Sequence, residues 1–131
     1  MLEGGCYCGR VRYEAAGEPF NETNCHCTIC RRTTGAPFVA WFSVPRDRFR
    51  ITRGSPTRFR STAKGVRSFC SECGTQITFE HDDFAQEIDV TTCSLDDANA
   101  VPPKDHTRVS SRLAWVRLAD ALPEFPESRE R

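Results

Sequence analysis

Residues 24–35 of the chain read NCHCTICRRTTG and place three cysteines within six positions. The thiolates of Cys25, Cys27 and Cys30 are close enough in sequence to face one metal ion. A zinc ion with three protein ligands keeps a fourth position for water or substrate, whereas a structural zinc site is normally closed by four protein ligands. This stretch therefore predicts an open zinc site that is suited to chemistry.

Four further cysteines form two short pairs, Cys6 with Cys8 and Cys70 with Cys73, and each pair is followed by a glycine. Glycine lets the backbone turn tightly, so that both sulfurs of a pair can point at one centre. Together the pairs predict a closed structural zinc site that cross-links distant segments, so its binding energy would also be folding energy. We expect two zinc ions per chain, with the open site held more weakly and filled in part or in full.

The composition limits the class of protein. A chain of 131 residues is expected to form a single domain over residues 1–131, with the tail 127–131 frayed. Lys plus Arg and Asp plus Glu number 18 each, which argues against general nucleic-acid and membrane-surface binding. The sequence shows neither a signal peptide nor an apolar run of about 18 residues, so we expect a cytoplasmic protein with reduced thiols. The alternative, a secreted framework of disulfides, is disfavoured by the same absence of a signal peptide and by the C-x-C spacing.

Short runs of β-branched, aromatic and alternating apolar residues predict a mainly β fold of short antiparallel strands. Residues 28–34 are expected to form one short helix or turn that ends at Gly35. Trp41, Phe42 and Trp115 are expected in the core, and Cys93 as a small buried side chain. The strands are predicted at residues 11–14, 20–24, 37–44, 49–53, 58–61, 66–69, 76–79 and 88–92.

Three motifs, GCYCGRVRY at residues 5–13, CHCTICR at 25–31 and FCSECG at 69–74, occur in this order. With them the chain resembles the glutathione-dependent formaldehyde-activating enzyme family, which includes centromere protein V-like proteins. The likeness extends over residues 4–126 and includes Trp115 and Leu122 near the C-terminus. It implies a zinc-stabilised β-tent fold and a carbon–sulfur lyase activity that joins glutathione to formaldehyde as S-hydroxymethylglutathione. By position, it implies the same division of the cysteines, with the four in pairs holding a structural zinc and the three holding a catalytic one.

The residues themselves suggest how such a site would work. Three thiolates give a zinc complex a formal charge of about −1, which favours capture of a thiol over activation of water. Arg31 and Arg32 directly follow Cys30 and suit bidentate recognition of the two carboxylates of glutathione. The alternative is that both arginines are solvated or pair with local acids. His26, between two ligands, is expected to be structural or solvent-facing rather than a proton shuttle.

Three functions remain open from the sequence. The first is a zinc-dependent carbon–sulfur lyase that acts on an adduct of an aldehyde with glutathione or a related small thiol. The second is a non-catalytic carrier of glutathione or another thiol. The third is a zinc-stabilised protein-interaction module. Turnover separates the first two, and an occupied, exchangeable second zinc site separates both from the third.

Overall fold

The computed structural model describes residues 1–129. Within them ten short strands form two sheets, with one α-helix and five 3-10 turns between the strands. The strands are β1 Leu2–Gly5, β2 Arg12–Ala15, β3 Phe20–Cys25, β4 Val39–Pro45, β5 Phe49–Arg53, β6 Thr57–Arg60, β7 Gly65–Phe69, β8 Gln76–His81, β9 Glu87–Thr91 and β10 Asp105–Thr107. The helix, α1, is Thr28–Thr34, and the 3-10 turns are Arg46–Arg48, Asp82–Phe84, Thr92–Ser94, Ala98–Ala100 and Val109–Ser111.

The smaller sheet has the order β1-β2-β5 and the larger one the order β10-β3-β4-β9-β8-β7-β6. The core contains Tyr13 and Ala15 of the smaller sheet together with Phe42, Val44 and Val90 of the larger one. Because apolar residues alternate along these strands, each strand places one set of side chains in the core and the other on its opposite face. The mainly β prediction is confirmed, as is the core position of Phe42.

The opposite face of the larger sheet carries a row of polar and aromatic side chains. Strand register aligns Arg67 of β7 with Phe79 of β8, Phe79 with Asp89 of β9, and Asp89 with Ser43 of β4. Residues in register on neighbouring strands share a face, so these four side chains form one line across the sheet. We call this line the sheet row. It lies on the side of the sheet away from the core and becomes part of the site described below.

Helix α1 begins at Thr28 and ends at Thr34, as the sequence predicts. Cys27 caps its N-terminus, because the Cys27 sulfur accepts a hydrogen bond from the Cys30 backbone N–H at 3.1 Å. Gly35 closes its C-terminus in the left-handed region, with φ of 74°, and donates to the Arg31 carbonyl. The ends of the helix therefore depend on a cysteine and a glycine that the sequence already singles out.

One strand pair differs from the prediction of an antiparallel sheet. Strand β10 pairs in parallel with β3, and its three residues, Asp105–Thr107, are polar and too few to show an alternating pattern. Strand β1 is also missed by the pattern, because two of its four residues are glycine. Neither strand gives the sequence signal on which the other eight predictions rest.

Two side chains and the tail also differ from expectation. Trp115 is 69% exposed, because it lies in an irregular loop beyond β10, and Cys93 is exposed in a 3-10 turn. In the tail, Arg129 donates to the Asp105 carboxylate at 2.7 and 2.6 Å, and the Glu127 carbonyl accepts from Arg108 at 2.9 Å. Residues 127–129 are therefore held rather than frayed, and residues 130–131 lie outside the described residues. In residues 1–129 the structure shows no helix long and apolar enough to cross a membrane.

Candidate metal centres and the adjoining cavity

The four-cysteine cluster consists of Cys6, Cys8, Cys70 and Cys73, whose sulfur atoms all lie within 4.8 Å of one another. The Cys6 and Cys8 sulfurs are 3.6 Å apart, and the Cys8 and Cys70 sulfurs are 3.7 Å apart. Four thiolates around one zinc ion at about 2.3 Å would be about 3.8 Å apart in a tetrahedron. The donor set and its spacing therefore fit a closed zinc site, and they exclude disulfides, whose sulfurs would be bonded at about 2 Å.

Two tight turns bring these sulfurs together. In the first, Val11 donates its backbone N–H to the Cys6 sulfur at 3.2 Å, and Gly9 adopts a φ of 81°. In the second, Gly74 donates to the Cys70 carbonyl at 2.8 Å and adopts a φ of 80°. Both glycines occupy the left-handed region, where a side chain is strained, so the glycine after each pair is required by the turn itself.

The three-cysteine cluster consists of Cys25, Cys27 and Cys30, whose sulfurs also lie within 4.8 Å of one another. Cys25 is the last residue of β3, Cys27 caps α1, and Cys30 lies in the first turn of that helix. The junction between a strand and a helix thus supplies all three sulfurs from six consecutive residues. Three soft thiolate ligands suit zinc, and the set leaves a coordination position without a protein ligand.

The thiols of this cluster differ in acidity. Hydrogen bonds from Cys25 and then from Cys30 hold the pKa of Cys27 well below its usual value, and the positive charge of Arg67 lowers it further. The hydrogen bonds that join Cys25 to Cys27 and then to Cys30 raise the pKa of Cys25. Of the three thiols, the pKa of Cys27 alone is lowered, since that of Cys30 is raised as well. Because a metal ion binds the thiolate form of cysteine, the lowered pKa is a further reason why the three residues fit a metal ion.

All eight cysteines are free thiols in the structure. Among the described residues, the two clusters are the groups of side chains that could hold a metal ion. The eighth cysteine, Cys93, is exposed and belongs to neither cluster. The division of the cysteines into a set of four, a set of three and a single residue is the one that the sequence predicts.

A cavity of about 520 Å³ adjoins the three-cysteine cluster, and we call it the site cavity. Its volume is in the range of small-molecule sites. It is lined by the three cysteines, by the whole sheet row and by polar side chains of the N- and C-terminal parts of the chain. The latter include Asn21, Thr23, Thr107, Arg108, Glu127 and Arg129.

A chain of hydrogen bonds crosses the lining of the site cavity. The Ser43 hydroxyl donates to the Asp89 carboxylate at 2.6 Å, and the Asn21 amide contacts Ser43 at 3.5 Å. The Asn21 carbonyl in turn accepts from Arg129 at 3.0 Å, and Arg129 pairs with Asp105. Both signs of charge thus reach the cavity, which suits a zwitterionic ligand better than a purely apolar one.

Arg31 and Arg32 lie on α1 next to Cys30, but neither of them lines the site cavity. Arg31 is half-buried, and its Nε atom has no hydrogen-bond partner among the described residues, whereas Arg32 is exposed. The structure therefore brings the three predicted zinc ligands together and leaves the two arginines beside the cavity. Their contact with a substrate stays a prediction.

Arg67 is the arginine that reaches the three-cysteine cluster. Its side chain is buried, and its Nη1 and Nη2 atoms lie 3.8 and 3.7 Å from the Cys30 sulfur. The guanidinium carbon lies 4.9 Å from the centre of the Phe79 ring and 5.8 Å from that of Trp41. Trp41, expected only to fill the core, is buried but lines the site cavity.

A second polar chain lies behind the cluster, away from the site cavity. His26 and His106 are fully buried, with His26 Nε2 3.0 Å from His106 Nδ1 and His106 Nε2 2.9 Å from the Asp120 carboxylate. Because the carboxylate only accepts, His106 Nε2 carries a proton and donates it to Asp120. Burial and the neighbouring His106 hold the pKa of His26 below its usual value, which agrees with a neutral ring. His26 Nδ1 has no partner among the described residues.

This histidine chain fixes the segment that carries two of the three cysteines. The His26 backbone N–H donates to the Thr107 carbonyl at 3.0 Å, so both the backbone and the side chain of His26 are tied to β10. His26 is therefore structural and buried, and the expectation that it could face solvent is wrong. The sequence did not reveal its partner, because the contact depends on the parallel pairing of β10 with β3.

Arg67 was missed for a different reason. It stands between Val66 and Ser68 in a strand that the sequence does predict, so its position was known but its partners were not. Its strand does not by itself distinguish it from arginines such as Arg50 and Arg58, which also lie inside short strands but are exposed. The cysteine with which Arg67 pairs lies 37 positions away and comes near only in the folded sheet.

The sequence profile of the glutathione-dependent formaldehyde-activating enzyme family matches residues 1–111 of the chain. The chain belongs to this family. The matched region includes both cysteine clusters, the sheet row and the two buried histidines. Asp120 and Arg129 lie beyond it.

Individual relatives agree with membership of the glutathione-dependent formaldehyde-activating enzyme family. A Halomonas elongata protein provisionally named as a glutathione-dependent formaldehyde-activating enzyme is 26% identical over 127 residues, which are 90% of this chain and 81% of that protein. A Schizosaccharomyces pombe protein named an uncharacterized lyase is 30% identical over 79 residues, 60% of this chain and 57% of that protein. At the level of the family, these names support an enzyme of glutathione-dependent formaldehyde activation or lyase chemistry.

One solved structure shares the fold. A crystal structure of a Rhodobacter sphaeroides protein superposes with a TM-score of 0.59 at 21% sequence identity, covering 94% of this chain and 98% of that one. At this identity the likeness concerns the fold alone. The shared fold extends over nearly the whole chain.

Proposed function

We propose that the protein is a zinc-dependent carbon–sulfur lyase that joins glutathione, or a related small thiol, to formaldehyde. The observation that carries the proposal is that a cluster of three cysteines, with no fourth ligand from residues 1–129, opens into a cavity of small-molecule size in a chain of this family. Cys25, Cys27 and Cys30 would hold the catalytic zinc, and Cys6, Cys8, Cys70 and Cys73 the structural one. When bound at the three cysteines, zinc would lower the pKa of a thiol that it coordinates.

The reaction needs little from the protein beyond binding and orientation. The thiol sulfur forms a bond to the formaldehyde carbon, and the thiol proton ends on the carbonyl oxygen. The site cavity would hold the two reactants together, which converts a bimolecular step into an effectively unimolecular one. The charged side chains of its lining, among them Asp89 and Arg108, are suited to the ammonium and carboxylate groups of glutathione. Arg31 and Arg32 are proposed as further carboxylate contacts at its edge.

A thiol carrier without turnover is favoured by one observation. His26, which lies between two of the cysteines, and His106, which contacts it, do not line the site cavity, whereas His81 does. The two histidines behind the cluster therefore do not face a bound ligand as an acid or base, and capture of a thiol does not require one. The free state of all eight cysteines supports a reducing location such as the cytoplasm for either function.

The test is nuclear magnetic resonance exchange spectroscopy of glutathione and formaldehyde at equilibrium with S-hydroxymethylglutathione, because the uncatalysed addition is itself fast. Zinc-loaded protein should raise the exchange rate in proportion to its concentration, and Cys27→Ser protein should not. Binding of glutathione without faster exchange would favour the carrier. Absence of both binding and faster exchange would favour a zinc-stabilised interaction module.

A further inference from the structure

Arg67 is a buried cation that the ion pairs of the fold do not explain. Its side chain is only 5% exposed, and it takes part in none of the salt bridges found among residues 1–129. Its Nε atom has no hydrogen-bond partner among the same residues. Removing a guanidinium from water is costly unless a negative group compensates it.

The three-cysteine cluster would supply that negative group once its thiolates hold a metal ion. Both terminal nitrogens of Arg67 lie against the Cys30 sulfur. The Phe79 and Trp41 rings hold the guanidinium in place by cation–π contact. An arginine held by two rings and aimed at a thiolate cluster is placed for an electrostatic role and not only for packing.

The formal charge of a metal-loaded cluster shows why a nearby cation would matter. Three thiolates and one divalent ion carry a formal charge of about −1, and an anionic fourth ligand raises this to about −2. A site of this kind by itself prefers a neutral fourth ligand, because like charges repel. A fixed guanidinium offsets one negative charge and so reduces the repulsion against an anionic fourth ligand.

We infer that Arg67 is the specificity-determining residue of the three-cysteine site. Its positive charge makes the open coordination position prefer an anionic ligand, the thiolate of the substrate, to a neutral one. The inference rests on the proposed function for the nature of that ligand. It adds a residue from a distant strand to a site whose other members are all within residues 25–30. It also explains why the cavity side of the larger sheet carries an arginine packed against two aromatic rings.

The test uses cobalt-loaded protein, in which binding of a thiolate at the open position changes the sulfur-to-cobalt charge-transfer band. Arg67→Met removes the charge at similar length, and Arg67→Gln removes the charge but keeps N–H donors near Cys30. Both should weaken glutathione binding about ten- to a hundredfold, as expected for loss of a hydrogen bond to a charged group. Binding of imidazole, a neutral ligand, should change by less than about twofold. Arg67→Lys should fall between these variants and the parent.

The matched control is Arg58→Met on the neighbouring strand β6, where the arginine is half-exposed and pairs with Glu80. It should bind both probes as the parent does. Equal glutathione binding by the parent and the two neutral Arg67 variants would overturn the inference. So would equal losses for glutathione and imidazole, or collapse of the fold in both neutral variants, because either would show that Arg67 serves the structure.

A further arm separates this inference from the proposed function. If the parent binds azide, a simple anion, more tightly than imidazole and loses that preference in Arg67→Gln, the inference holds even when glutathione does not bind. In that case the thiol function alone is wrong. If azide and imidazole are affected equally, the inference is wrong whether or not glutathione binds.

Discussion

The four-cysteine and three-cysteine clusters use the same donor atoms but differ in where their ligands come from and in what surrounds them. The four-cysteine cluster joins Cys6 and Cys8 to Cys70 and Cys73, and two of its members belong to the hydrophobic core. The three-cysteine cluster comes from one strand-to-helix junction and lies against the site cavity. On this ground we propose a structural role for the four-cysteine cluster, whose ligands are distant in the chain and contact the core, and a functional role for the local three-cysteine set beside the cavity.

The largest effect is expected when the four-cysteine cluster is broken. In Cys70→Ser the link between residues 62 positions apart is lost, and the free energy of unfolding should fall by more than about 4 kcal/mol. That is enough to unfold a domain of ordinary stability, about 5–15 kcal/mol. Far-UV circular dichroism should show no cooperative transition. Cys93→Ser, the same change at the exposed cysteine outside both clusters, should melt like the parent, and a parental melt for Cys70→Ser would remove the distinction between the clusters.

Cys27→Ser should leave the fold in place and empty the second site. Serine is a good N-cap, so α1 keeps its first hydrogen bond and the loss of stability should be about 1 kcal/mol or less. Metal analysis should find one zinc per chain instead of two, and calorimetry should find no glutathione binding. Unfolding of Cys27→Ser to the same extent as Cys70→Ser would contradict the assignment of a structural role to one cluster and a functional role to the other.

Mild chelation tests the same comparison without a mutation. The three-cysteine site has fewer ligands and an open side, so its zinc should leave first while circular dichroism is unchanged. The second ion should leave only as the domain unfolds, since its binding is coupled to folding. Release of both ions in one step, together with unfolding, would be the opposite result. The Cys27→Ser protein should show only the second step.

The comparison also explains how much the sequence could predict. Cysteine spacing identified both clusters, because each cysteine group is local in the chain and its spacing is specific. The helix over 28–34 followed from its glycine end, and eight strands followed from alternation. Their tertiary neighbours did not, because Arg67 reaches Cys30 only after β7, β8, β9 and β4 are aligned in one sheet.

The polar network behind the cluster was hidden for a similar reason. His26 meets His106 through a parallel pairing of a three-residue strand that has no periodicity of its own. The C-terminal segment reads as a tail, yet Arg129 lines the site cavity through its pairing with Asp105. Local patterns thus predict ligands and strands, whereas buried pairs formed between distant segments need the folded structure.

A moderate effect is expected from His106→Ala. The change leaves the buried His26 Nε2 without its hydrogen-bond partner, which should cost about 1–3 kcal/mol of stability. It should also weaken zinc at the three-cysteine site, as measured by competition with a chromophoric chelator, because His26 lies between two of the ligands. Asp120→Asn keeps an acceptor oxygen for His106 and should lose less than His106→Ala. Unchanged stability and zinc affinity in His106→Ala would show that the histidine chain does not support the site.

The smallest effect is expected from the arginines of α1, and it tests which cations serve the three-cysteine site. Arg31 and Arg32 are adjacent to a ligand in sequence but outside the lining of the site cavity, whereas Arg67 is remote in sequence and touches the cluster. A carboxylate held at the rim stays partly hydrated, so Arg31→Ala with Arg32→Ala should weaken glutathione binding only about two- to fivefold. Calorimetry with zinc content checked in each variant decides the matter. A hundredfold loss of glutathione affinity would mean that the α1 arginines contact the bound peptide closely. No loss of affinity would mean that they are surface charges and that specificity comes from the side chains inside the cavity.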